Sequence, residues 1–168
     1  MSFRDIAEGR YSCRDYMEKE VSCEDLEYML ECARLAPSAC NLQPWKIYMV
    51  RDEKVREAVC GAYPRDWLKN APVIAVFCGL KGEGWKRADG ADYLMCDVSI
   101  TADHFINAAS ERGLGTCWIA AFDEKKLAEA LRLPENEKPY IMTPVGYAAG
   151  KAPSGKKRKS LQDICCFI

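Results

Sequence analysis

The sequence predicts an α+β or three-layer α/β domain, and three observations carry that prediction. Residues 72–78, Pro-Val-Ile-Ala-Val-Phe-Cys, form an unbroken apolar run of strand length, as a strand covered on both faces does. Residues 92–112 carry the longest helical pattern, with Leu94, Val98, Ala102, Phe105 and Ala109 on one stripe. Shorter helix and strand patterns alternate around these two without the Gly-rich turn of a dinucleotide-binding unit. A chain of 168 residues is long enough to bury about 70% of its extended surface, so residues 1–168 are read as a single domain.

Each element has its own signal. Residues 4–8 open a short helix that Gly9 ends, which presents Arg10 and Arg14 on a turn. Ser22 with Asp25 three residues later marks a capped helix start, and Leu26, Met29, Leu30 and Ala33 repeat at helical spacing until Pro37 forbids continuation. Residues 45–50 alternate as a strand, and Asp52 caps a short helix through Val55 and Val59. Glycines and charges make 81–90 a loop, and Gly113 stops the long helix. Residues 117–121 read as a strand, Asp123 caps a helix carrying Leu127, Ala130 and Leu131, and Pro134 ends it. Residues 140–149 read as a strand in which Pro144 requires a bulge or an edge position. A polar, basic connection over 150–160 and a short apolar tail over 164–168 complete the chain.

Composition narrows the function classes. Apolar residues at 49% and charged residues at 29% describe an ordinary globular protein. A net charge of -1 gives no pull towards nucleic acid or anionic membrane, and Lys156-Lys157-Arg158-Lys159 lacks the interleaved aromatics of a nucleic-acid patch. Met1-Ser2-Phe3-Arg4-Asp5 has no apolar signal core, and the longest apolar run, 71–80, is too short to span a bilayer, so a cytoplasmic protein without membrane partners is expected. Ten cysteines without framework spacing read as free thiols, and the vicinal Cys165-Cys166 with a single histidine, His104, makes no metal set. His104 itself reads as a surface or structural residue.

Two segments can carry chemistry. Arg10 and Arg14 flank Ser12, which suits a phosphate monoester if the three side chains point one way; a solvated surface run is the alternative. Pro37 and Pro44 stiffen a turn whose Ser38, Asn41 and Gln43 offer donors and acceptors to a planar hydrogen-bonding ring such as an isoalloxazine; the alternative is that they make local turn bonds.

Five stretches occur together in an order that resembles the nitroreductase family: Arg10-Tyr11-Ser12-Cys13-Arg14, the ten residues from Ala36 through Asn41 to Trp45, the ten from Gly113 through Trp118 to Phe122, Pro144-Val145-Gly146-Tyr147, and Arg158-Lys159-Ser160-Leu161. The resemblance covers nearly the whole chain and implies a central, mostly antiparallel sheet flanked by helices in a domain-swapped homodimer with FMN at its interface. It implies that Arg10, Ser12 and Arg14 hold the phosphate and ribityl end of FMN, with main-chain contacts from Tyr11, and that Lys156 and Arg158 return to the phosphate. Pro37, Ser38, Ala39 and Asn41, with Gln43 beside them, would line the ring from the partner subunit. Ile119, Ala120 and Ala121 would lie along it, and the family often has a glycine at one of the positions taken by Ala120 and Ala121. Electrons would pass from NADH or NADPH through FMN to a small acceptor such as a nitroaromatic or quinone in a ping-pong scheme, with no separate catalytic side chain and Arg14 placed against the reduced ring. Same-fold alternatives are reductive dehalogenation and oxygen-dependent flavin cleavage; others are a non-catalytic FMN-binding or redox-sensing module and a thiol protein without flavin. The 81–90 loop is brief where longer members carry helices over the substrate pocket.

Overall fold

The computed structural model describes residues 2–153 and 155–168. Helices α1 (Phe3–Gly9), α2 (Cys23–Arg34), α3 (Glu53–Cys60), α4 (Asp66–Lys69), α5 (Leu94–Glu111), α6 (Glu124–Leu131) and α7 (Leu161–Ile164) accompany strands β1 (Trp45–Val50), β2 (Val73–Leu80), β3 (Gly115–Thr116) and β4 (Glu137–Gly146). The caps read from sequence form: Ser22 Oγ accepts the Asp25 N–H, Asp52 Oδ1 the Val55 N–H and Asp123 Oδ1 the Lys126 N–H, each at 3.0 Å.

The strands pair in the order β1-β2-β4-β3, and every pair is antiparallel. Side chains of β2 alternate between two cores. Val73, Ala75 and Phe77 pack on α2 and α5, where the Phe77 and Phe105 rings meet edge to face at 5.4 Å, while Ile74, Val76 and Cys78 face α3, α4 and α6. The sheet therefore lies between two helical layers, as the α+β, three-layer reading requires. The buried stripe of α5 packs inside its own chain, and four of the exposed large apolar side chains, Leu161, Ile164, Phe167 and Ile168, lie together in the tail.

Helix α1 ends at Gly9, as read, and other boundaries differ from the sequence reading. Helix α6 ends at Leu131 and is capped by Arg132, in the left-handed region at φ 51°, before Pro134 is reached. Strand β4 begins at Glu137, and its register slips at Tyr140, so the bulge falls there and not at Pro144. Pro144 stands inside a central strand opposite Ile74. Its missing N–H is felt on the other side: β3 pairs through Gly115↔Gly146 and Thr116↔Val145, then breaks off at Cys117, which would face Pro144. The Cys117 N–H donates instead to the Thr143 hydroxyl at 3.2 Å. Pairing resumes where Ile119 and Met142 exchange two hydrogen bonds of 3.0 Å. The strand expected over 117–121 is thus reduced to one bridge.

Candidate functional site

The first candidate region is built on the outer edge of β3. Ser12 forms a parallel bridge with Thr116, and the Cys13 N–H donates to the Thr116 carbonyl at 2.8 Å, so residues 10–14 run along the sheet edge. Close approach needs Gly115, because a Cβ there would lie 2.7 Å from Cys13 Sγ. The buried Tyr16 hydroxyl donates to the Cys13 carbonyl at 2.8 Å and locks the segment from below. Lys156 Nζ donates to the Ala7 carbonyl at 2.7 Å, which draws the C-terminal connection onto the last turn of α1. A cavity of about 670 Å³ opens there, lined among others by Tyr11, Lys156 and Arg158.

Electrostatics show how closely the cations gather. Desolvation, with the Arg10 and Arg158 guanidinium groups, pushes the Lys156 ammonium below its ordinary value. Burial raises the Cys117 thiol, while Arg14, the Ser12 hydroxyl and Arg10 oppose that rise. Among the described residues, Arg10, Arg14, Lys156 and Arg158 make no ion pair with a carboxylate. The Glu8 carboxylate lines the same cavity without pairing directly with any of the four, and the excess of positive charge fits a phosphate.

The second region is the turn before β1. Cys40, Asn41 and Gln43 hold φ of 52°, 56° and 52°, three of the four left-handed non-glycine residues among those described. Such backbone persists only where its surroundings fix it. The Asn41 N–H donates to the Ser38 carbonyl at 3.0 Å, the Leu42 N–H to the Ala39 carbonyl at 3.2 Å and the Gln43 N–H to Ser38 Oγ at 2.9 Å. Gln43 Nε2 folds back on the Asn41 carbonyl at 3.2 Å. Ser38 and Gln43 therefore make local turn bonds. The exposed Asn41 side chain makes no hydrogen bond among the described residues. Pro37 is exposed, and Ala39 is half-buried with its N–H donating to Asp97 Oδ1 at 3.0 Å.

Of the third predicted stretch, Ile119 is buried in the core beside Met142, and both its main-chain groups are used by the bridge. Ala120 and Ala121 are exposed. The structure thus joins Arg10, Tyr11, Ser12, Arg14, Lys156 and Arg158 at one corner, with 119–121 leading away from it. It does not bring the 37–43 turn to them: the turn adjoins the Trp45 end of edge strand β1, and the basic segment lies outside β3 at the Gly146 end. From strand spacing and rise, the two regions of one chain are roughly 30 Å apart. Asp97 is the residue that sequence reasoning missed, although its place one turn after Leu94 puts a carboxylate on the buried stripe. Among the described residues, no group of three metal-ligating side chains gathers, and no helix is long and apolar enough to cross a membrane.

Comparisons with known proteins agree with this architecture. The profile of the Nitroreductase family matches residues 7–63 and 59–147. A putative NADH dehydrogenase/NAD(P)H nitroreductase of Archaeoglobus fulgidus is 31% identical over 143 residues, covering 82% of this chain and 80% of that protein. A nitroreductase family protein of Clostridium difficile 630 superposes with a TM-score of 0.91 at 32% identity, over 99% of this chain and 98% of the other. An FMN-dependent nitroreductase of Clostridium difficile R20291 superposes with a TM-score of 0.79 at 27% identity, over 95% and 93% of the two chains. By sequence profile, by a relative above 30% identity and by fold, this chain belongs to the nitroreductase family.

Proposed function

We propose that residues 1–168 form one FMN-binding oxidoreductase domain that takes electrons from NADH or NADPH and delivers them to a nitroaromatic, quinone or similar small acceptor, as a cytoplasmic homodimer. The observation that carries this reading is the division of suitable groups between two distant corners: uncompensated cations for a phosphate at one, an unbonded amide on a fixed turn at the other. At roughly 30 Å they cannot serve one ligand within one chain. A second copy supplying its turn to the first copy's basic corner completes the site, and the exposed apolar tail gives such a pair surface to bury.

Bound FMN would supply hydride acceptance and electron delivery, so the protein's part is placement and electrostatics. Arg10, Ser12, Arg14, Lys156 and Arg158 hold the phosphate and ribityl end, with Tyr11 alongside. Asn41 meets the ring edge from the partner, on a turn shaped by Pro37, Ser38, Ala39 and Gln43. Ile119 anchors the main chain so that Ala120 and Ala121 present it to the ring. Arg14 sets fixed positive charge where negative charge develops on reduction. The family name and the FMN-dependent neighbour support this reading. The test is a visible spectrum after incubation with FMN and desalting, followed by anaerobic NADH and then NADPH. Retained flavin bands that bleach are expected; a colourless protein would overturn the assignment.

A further inference from the structure

We infer that Asp97 is a positioning residue for the flavin: by accepting the Ala39 N–H it holds the left-handed 38–43 turn in the shape that presents Asn41. This rests on the proposed role of that turn and adds what keeps it in place. Asp97 lies in the first turn of α5 with 2% of its surface exposed. It does not cap its own helix, since its N–H donates to the Tyr93 carbonyl and the Leu94 N–H is taken by Asp92 Oδ1 at 2.8 Å. Oδ1 accepts the Ala39 N–H at 3.0 Å across 58 residues of sequence. Oδ2 has no hydrogen-bond partner among the described residues, and neither does the buried Thr101 Oγ1 one turn further along.

A carboxylate buried with one oxygen unpartnered weakens the fold, so an apolar side chain at this point of the stripe would serve the core better. What the carboxylate does that an apolar group cannot is take the Ala39 N–H. The hydrogen bonds inside the turn are local, and the tie at its far end runs from the Leu80 N–H to the Pro44 carbonyl at 2.9 Å. Asp97 therefore fixes the head of the turn as β2 fixes its tail. Without that bond Cys40, Asn41 and Gln43 lose the restraint that keeps them left-handed, and the Asn41 amide is no longer held in one place.

Three variants test this. Asp97→Asn keeps an oxygen acceptor in the same position, whereas Asp97→Leu and Asp97→Ala remove it. Amide hydrogen exchange of peptides covering 36–45 is followed without flavin, FMN and riboflavin affinities are measured by fluorescence quenching, and the thermal midpoint reports global folding. The leucine variant should keep its thermal midpoint yet exchange faster across 36–45, and should bind FMN and riboflavin each about tenfold more weakly, as loss of one buried hydrogen bond implies. The alanine variant should lose affinity likewise, and the asparagine variant should stay within about twofold of wild type on both readouts. Leucine and asparagine variants that exchange and bind alike would overturn the inference. Faster exchange in the leucine variant, combined with a wild type that takes up no FMN, would overturn the flavin role while leaving the anchor in place.

Discussion

At the basic corner, Arg14 and Arg158 are exposed and Arg10 and Lys156 half-buried; a main-chain bond holds the 10–14 segment to the sheet, and the Lys156 side chain ties its segment to α1. At the 38–43 turn the arrangement is reversed: the side chains are mostly uncharged, and the backbone is forced into left-handed conformations by ties to α5 and β2. In the proposed site, the first region would recognise by charge and tolerate some freedom of its side chains, and the second would recognise by shape and need a fixed main chain. An anionic tail and a planar ring would call for different kinds of support within one site. Charge acts over several ångströms, whereas hydrogen bonds fail within a few tenths of one.

The two halves should fail differently. The largest effect is expected from Arg10→Ala, which removes a charge-assisted contact and should weaken FMN by about 2 kcal/mol, roughly thirtyfold, while riboflavin affinity stays nearly unchanged. Equal losses for both ligands would show that Arg10 supports the fold and not the phosphate. Asn41→Ala should weaken FMN and riboflavin equally, by roughly 1–2 kcal/mol, because the ring is common to both. A loss confined to FMN would move Asn41 away from the ring. Cys40→Gly should raise stability to heat and urea by up to about 1 kcal/mol, since glycine adopts φ of 52° without steric penalty. A lowered thermal midpoint would mean that Cys40 is not strained.

The smallest effect is chemical rather than energetic. Native-state alkylation at pH 8 should modify exposed Cys23 readily and spare Cys117 and Cys78. The Cys78 thiol, pushed up to about 12 by burial with the Glu137 carboxylate adding to it, remains protonated there. Peptide mapping reads the contrast, and rapid labelling of Cys117 would show that the edge strand opens.

Much of this was legible in the residues. Ser22, Asp52 and Asp123 announced helix starts because a cap is a local bond, and 72–78 announced a central strand because both its faces are apolar. The arginine spacing announced the basic corner in the same way. What stayed hidden depended on partners distant in sequence. Pro144 is accommodated in a central strand because the neighbouring ladder breaks at Cys117 and the Thr143 hydroxyl takes up the freed N–H. The strain at Cys40, Asn41 and Gln43 had no glycine to mark it, and its anchor, Asp97, lies far along the chain inside an apolar stripe. The separation of the basic corner from the 38–43 turn follows from strand order, which spacing in one sequence does not encode.

Mixing variants reveals whether each flavin site draws its basic corner and its turn from different copies of the chain. Arg10→Ala/Arg14→Ala chains and Asn41→Ala chains, each weak in FMN binding alone, are combined through unfolding and refolding, and mixed dimers are isolated by two tags and titrated with FMN. Sharing between copies predicts one site of wild-type affinity per mixed dimer, because one site then carries both sets of substitutions and the other carries neither. Mixed dimers in which both sites stay weak would contradict it and place the two halves of each site within a single chain.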